Sequence, residues 1–175
     1  YSRVAYGDHP SQYVRIWAPP RDTKPNAASH GGLAATTTVF LVHGGFWKHE
    51  YGLDTPAGTA AETLAPDLIA RGCTVVEVEY RRYEPREKLG FPAANDDVVN
   101  AIIFVTRSGQ HKGSVSGGSG DHKDRIVIVG MSAGGQLGLW AAMELERNHA
   151  IVPVLTVAIA PVADLEHAVR LQLSD

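Results

Sequence analysis

The amino-acid sequence predicts an α/β domain: a mostly parallel sheet with helices on both faces. From Thr37 onward, short runs rich in β-branched residues alternate with alanine-rich amphipathic stretches, and glycine or proline punctuates most of the switches. Such alternation is what parallel strands joined by right-handed helical crossovers leave in a sequence. The composition, 44% hydrophobic and 20% charged over 175 residues, is that of one ordinary globular domain. A chain of this length buries roughly 70% of its unfolded surface, so a core forms without disulfides or metal.

Each element has its own warrant. Tyr13 to Trp17 alternates and then meets Pro19-Pro20, which predicts a short half-exposed strand, antiparallel at one edge of the sheet. Pro19 to Thr36 has no apolar period and reads as a surface loop. Thr37 to Val42 is continuously apolar or β-branched, as a strand buried on both faces is, and runs into His43-Gly44-Gly45. With Asp54 or Thr55 as N-cap and Pro56 at the first helical position, Ala57 to Ala70 reads as a helix closing at Arg71-Gly72. Cys73 to Tyr80 is a strand. Pro92 to Arg107 is a helix whose Val98, Ala101, Ile102 and Val105 form one stripe, with Asp96 and Asp97 in the first turn, where carboxylates suit the helix dipole. The glycine- and serine-rich stretch from Ser108 to Lys123 reads as a flexible loop. Arg125 to Val129 is a strand, Gly130 to Gly134 a tight turn, Ala133 to Arg147 a helix and Val154 to Ala160 a further strand.

Composition also excludes classes. A net charge of −3 lacks the basic excess on which nucleic-acid binding rests. No stretch approaches the roughly 18 apolar residues of a membrane-spanning helix, and no charged-then-apolar leader opens the sequence, so the expected compartment is the cytoplasm. The single cysteine, Cys73, rules out an internal disulfide and reads as a small buried hydrophobe. The sequence starts at Tyr1 and stops at Asp175 as a new amphipathic segment begins, which points to a fragment, truncated before the last strands.

The chemistry concentrates in two motifs. Gly130-Met131-Ser132-Ala133-Gly134 is a Gly-x-Ser-x-Gly between a strand and a helix. A serine becomes a useful nucleophile when a strained strand-to-helix turn presents it, and small neighbours are then required by sterics. The Ala133 N–H opens the helix and can face a developing oxyanion. The competing reading is a glycine-rich helix start with a serine N-cap. The second motif, His43-Gly44-Gly45-Phe46-Trp47, directly follows a buried strand, where an HGGG-type loop donates backbone N–H groups opposite the nucleophile. Phe46 stands where that pattern has a third glycine, and Phe46 or Trp47 can line an acyl or aromatic pocket. Its competing reading is a Gly-Gly turn flanked by core aromatics.

Taken together, HGGFW (His43 to Trp47), VEYRR (Val78 to Arg82), FPAANDDV (Phe91 to Val98), GMSAGG (Gly130 to Gly135) and APVADL (Ala160 to Leu165) resemble the α/β-hydrolase superfamily. Within it the chain is similar to the esterase and arylformamidase-like branch, akin to prolyl-oligopeptidase-type hydrolases. The resemblance implies a serine hydrolase of small-molecule esters or amides that needs no cofactor. Ser132 is then the nucleophile, Gly45, Phe46 and Ala133 the oxyanion donors, and Trp47 part of the substrate pocket. It also implies an acid and then a histidine after the serine. The histidines that follow are His149, expected in a solvated turn, and His167, three residues beyond Asp164 in a helix start where Asp–His–Ser geometry is hard to reach. Asp164 reads as N-cap or, in some hydrolases, as the acid. The expectation is therefore that the acid and histidine lie beyond residue 175. The other class of function is a non-catalytic binding module on the same scaffold.

His43 reads as a residue that holds the glycine loop by a hydrogen bond. His43, His49 and Glu50 lack the His-Glu-x-x-His spacing of a zinc site. The mixed charges from Arg81 to Lys88 read as a solvated loop, with a substrate-carboxylate contact from Arg81 or Arg82 as the alternative. No phosphate-binding glycine pattern fits, because Ser132 takes the place of the glycine that approaches a pyrophosphate.

Overall fold

The computed structural model describes residues 1–19, 37–56, 63–84, 89–109 and 125–171. Six strands form one mixed sheet: β1 (Ser2–Ala5), β2 (Tyr13–Trp17), β3 (Thr37–Val42), β4 (Thr74–Val78), β5 (Arg125–Met131) and β6 (Leu155–Ile159). Their spatial order is β1-β2-β4-β3-β5-β6. β1 and β2 run antiparallel to their neighbours, whereas β4, β3, β5 and β6 are parallel. The described helices are α1 (Ala65–Ala70), α2 (Ala93–Ser108), α3 (Ala133–His149) and α4 (Leu165–Arg170).

Period-two alternation sorts the strand residues between two cores. Val39 and Leu41 of β3 join Val75 of β4, Val127 of β5 and Ala65 of α1 on one face. Phe40 and Val42 join Val76, Val78 and Ile128 on the other, against α2 and α3. The expected stripe of Val98, Ala101, Ile102 and Val105 is fully buried there. Each of its valines and its isoleucine is worth roughly 1.5–3 kcal/mol relative to exposure. Helices thus cover both faces, as the sequence predicts.

Three expectations are corrected. β2 is neither an edge nor half-exposed: β1, absent from the sequence reading, pairs along its outer side, and Tyr13 to Ile16 are all buried. Arg15, which made the strand look amphipathic, faces the α1 side, where it pairs with Asp54 and lies 4.0 Å from Glu77, its cross-strand partner. The helix expected over Ala57 to Ala70 is described only from Ala65. Pro56 lies in a turn, Leu64 is the N-cap and Pro66 occupies the first turn, while 57–62 lie outside the described residues. Most of the Pro19 to Thr36 and Ser108 to Lys123 stretches also lies outside them. Ser108 itself is the last residue of α2, and Gly109 stops the helix with φ 68°.

β6 ends the sheet, its residues half-buried to exposed, and Val154, Leu155 and Ile159 stand open to solvent beside it. No described helix is long and apolar enough to cross a membrane.

Candidate active site

Parallel strands deliver their following loops to one edge of the sheet, and both motifs arrive there. His43 to Trp47 follow β3, Glu79 to Arg82 follow β4, Ser132 follows β5, and Ala160-Pro161 follow β6. Ser132 adopts φ 55° and ψ −120°, a conformation that a non-glycine residue holds only where its surroundings enforce it. The enforcement is visible. The Ser132 N–H donates to the Ile159 carbonyl at 2.9 Å, and the Ser132 carbonyl accepts from Gly135 at 3.0 Å and Val162 at 3.3 Å. The APVADL stretch therefore buttresses the turn from the neighbouring strand.

The flanking glycines answer to close approach. A Cβ on Gly130 would sit 2.1 Å from the Gly134 oxygen, and one on Gly134 would sit 2.2 Å from the Val42 oxygen and 2.3 Å from the His43 oxygen. A Cβ on Gly44 would lie 3.1 Å from the Ser132 Cβ, so the glycine loop packs directly on the serine turn. Two motifs about 87 residues apart in sequence are in contact in space. Ser132 is half-buried, and Ala133 behind it is fully buried as the first residue of α3, where helical N–H groups have no partner within the helix. Gly45 (φ 109°), Phe46 (φ 52°) and Trp47 (φ 58°) make a positive-φ run that turns the loop, and the Lys48 N–H donates to the Gly45 carbonyl at 2.9 Å across it.

Behind the loop lies a charged network. The His43 ring is buried, stacked on Tyr80 at 4.4 Å between centroids, with Nδ1 2.8 Å from the Gly44 carbonyl and Nε2 3.2 Å from Glu79 Oε1. Burial pushes the His43 pKa down to about 4, so at neutral pH the ring carries one proton and donates to only one of these two acceptors. The structural role expected of His43 agrees with this placement. Glu79 is the hub: it accepts from the Leu53 N–H at 2.7 Å, the Tyr80 N–H at 3.1 Å and the Arg82 guanidinium. Arg82 reaches on to the His49 carbonyl at 3.2 Å, and burial lowers its pKa, though a guanidinium stays charged at neutral pH.

Arg81 has a second anchor. The fully buried Asp97 accepts from Arg81 Nε at 2.8 Å, Arg81 Nη2 at 2.7 Å, the Arg81 N–H at 2.9 Å and Gln12 Nε2 at 2.7 Å. The hydrogen bond to Asp97 holds the Arg81 pKa above its ordinary value. Arg81 and Arg82 are therefore structural ties and not parts of a solvated charge loop. Asp97 likewise fastens α2 to the β4 terminus instead of ornamenting a helix dipole. Asp97→Asn leaves a guanidinium without its counter-charge and should cost about 3 kcal/mol or more. Thermal unfolding of the whole protein checks this, and the exposed Asp67–Arg71 pair serves as control, since Asp67→Asn should leave Tm unchanged.

A cleft of about 730 Å3 opens beside the serine turn, between the loop carrying Phe46 and Trp47, the start of α2 and Gln136 of α3. Phe46, 40% exposed, stands at its wall, as does Trp47. The later histidines sit elsewhere. His149 is the half-buried last residue of α3 rather than part of a turn, and a helix of 17 residues puts it roughly 25 Å from Ser132. His167 is exposed, and its N–H donates to Asp164 at 2.8 Å, which makes Asp164 the N-cap of α4.

A strand, a sharp serine turn and a helix packed beneath a glycine loop define the architecture of an α/β hydrolase. The family model described as the alpha/beta hydrolase fold matches residues 39–173, and the chain belongs to that family. Among solved structures it is similar to Esterase B from Lactobacillus rhamnosis with a tributyrin phosphonate inhibitor, at 19% identity and TM-score 0.67, covering 99% of this chain and 51% of that one. It is also similar to a protein described as a thioesterase from Silicibacter sp. TM1040, at 18% identity and TM-score 0.67, covering 98% and 53%. An esterase/lipase from an uncultured bacterium matches at 24% identity and TM-score 0.55, covering 76% and 39%. The chain thus spans about half the length of the first two. No curated protein matches.

Glu79 and Asp97 were missed by sequence reasoning as site-building residues. The available signal was a second glutamate, Glu79, at the end of the apolar run Cys73 to Tyr80, and an aspartate one position before an apolar stripe.

Proposed function

We propose that this chain carries the nucleophilic half of a serine hydrolase that cleaves a carboxylic ester or amide through an acyl-enzyme on Ser132. The observation that carries it is the strained φ 55° serine turn in van der Waals contact with the glycine loop. In this reading the Ser132 Oγ attacks the substrate carbonyl carbon while its proton passes to a histidine. The backbone N–H groups of Gly45, Phe46 and Ala133 receive the oxyanion, each lost donor costing roughly 3–4 kcal/mol. The tetrahedral intermediate collapses, expelling the alcohol or amine, and water then releases the acid. Trp47 lines the substrate pocket. The esterases among the similar structures support an ester as substrate. In this reading the acid and histidine lie outside residues 1–175, since His149 stands roughly 25 Å along α3 from Ser132 and His167 is an exposed residue of α4 that does not line the cleft.

The test is a fluorophosphonate, which captures activated serines, applied to the whole protein and followed by peptide mapping. One adduct on Ser132 is expected. A folded whole protein that stays unlabelled and turns over no ester sinks the reading and favours a non-catalytic binding module on the same scaffold.

A further inference from the structure

Asn95 occupies the first turn of α2 and lines the cleft beside the serine turn. It is only 5% exposed, and its Nδ2 is sealed from water with no hydrogen-bond partner among the described residues. A buried amide without an acceptor costs stability, and a leucine of similar shape would remove that cost. Local rules broken in this way concentrate where a site needs the group.

The surroundings sharpen the point. The cleft walls carry the aromatic rings of Phe46, Trp47, Tyr83 and Phe91 among polar residues, and Phe91 meets Trp140 edge-on at 6.0 Å. Arg81 and Arg82 also border it, but their guanidiniums are engaged by Asp97 and Glu79. Of the polar side chains that line it, which include Lys48, His49, Glu50 and Gln136, Asn95 is the buried one whose nitrogen has no partner among the described residues. Among the described residues no hydrogen bond holds the Nδ2 of that amide, and its terminal torsion is broad and two-fold, so it can turn either its N–H2 or its C=O toward the cleft.

We propose that Asn95 is the specificity-determining residue of this cleft, its side-chain amide hydrogen-bonding an uncharged oxygen that the substrate carries on its acyl or its leaving-group side. The ligand class is an ester bearing an ether, hydroxyl or second carbonyl oxygen, in preference to a plain hydrocarbon ester. This rests on Ser132 as the nucleophile. A site that hydrogen-bonds a substrate oxygen discriminates against the analogue lacking it, because the buried group is then left unpaired.

The test uses the whole protein and two isosteric substrate pairs: p-nitrophenyl methoxyacetate against p-nitrophenyl butyrate, and 2-methoxyethyl acetate against butyl acetate. In Asn95→Leu the kcat/KM ratio of oxygen-bearing to hydrocarbon substrate should fall about tenfold for at least one pair relative to wild type, with Tm at or above wild type. Comparing ratios cancels the intrinsic reactivity of the methoxyacetyl group. Asn95→Ala provides the same comparison if leucine disturbs the helix. Ratios within twofold of wild type for both pairs, in a folded variant whose Ser132 still takes the fluorophosphonate, overturn the proposal. If wild type itself takes no label, the nucleophile reading fails and Asn95 is judged by binding alone. Its side-chain 15N–H2 resonances should then move with 2-methoxyethyl acetate and not with butyl acetate, and immobile resonances overturn it.

Discussion

Ser132→Ala should lower kcat for p-nitrophenyl ester hydrolysis by roughly 10⁵- to 10⁶-fold in the whole protein, which is what removal of a serine nucleophile costs. The substitution deletes one oxygen at a half-buried position and leaves the backbone pattern of the turn intact, since the Ile159, Gly135 and Val162 bonds all use main-chain atoms. Tm should therefore stay close to wild type, and fluorophosphonate labelling should vanish. A residual rate over the uncatalysed reaction is expected from the oxyanion donors and binding alone. Retained turnover with an intact fold would move the nucleophile elsewhere and leave the serine as a helix cap.

Gly134→Ala should be nearly as damaging to activity and far worse for stability. Its new methyl group falls 2.2 Å from the Val42 oxygen and 2.3 Å from the His43 oxygen, and neither acceptor is the end of a flexible side chain. Val42 is held in the β3 ladder between β4 and β5, and His43 is stacked on Tyr80, whose hydroxyl donates to the His43 carbonyl at 2.8 Å. Something rigid must give: either the sheet edge opens or α3 shifts and carries Ser132 away from the glycine loop. The expected loss is about 3 kcal/mol or more, at the upper end of overpacking. Fluorophosphonate labelling should slow in parallel. Gly90→Ala is the control for stability, because a Cβ there meets nothing within 4 Å and should leave Tm almost unchanged. Unfolding curves and labelling rates measure both effects. A Gly134→Ala protein with wild-type Tm and labelling would mean that α3 does not pack on the β3 terminus as described.

Much of this arrangement was legible in residues close together along the chain. The stripe from Val98 to Val105 has one geometric solution, a helix with those residues inside, and it is buried as expected. The serine between two small residues at a strand-to-helix switch implied the turn, because only such neighbours tolerate backbone approach. Reading failed where a charged residue was assumed to face water. Arg15, Glu77, Glu79 and Asp97 are all buried, and partners on other segments, Asp54 for Arg15, Leu53 for Glu79, and Gln12 and Arg81 for Asp97, are not visible in the local run of residues. β1 was missed for a related reason: four residues with one exposed charge show no pattern until β2 supplies a ladder.

The sequence by itself determined the alternation of strands and helices, the apolar faces and the two glycine motifs, since these follow from side-chain periodicity and local sterics. Only the tertiary structure decided that the motifs touch, that Glu79 and Asp97 lock the loops behind them, and that Asn95 is buried at the cleft with its side-chain nitrogen unpartnered among the described residues. Contacts between distant segments depend on sheet order and on the choice of helix face, and neither is written in any local run of residues.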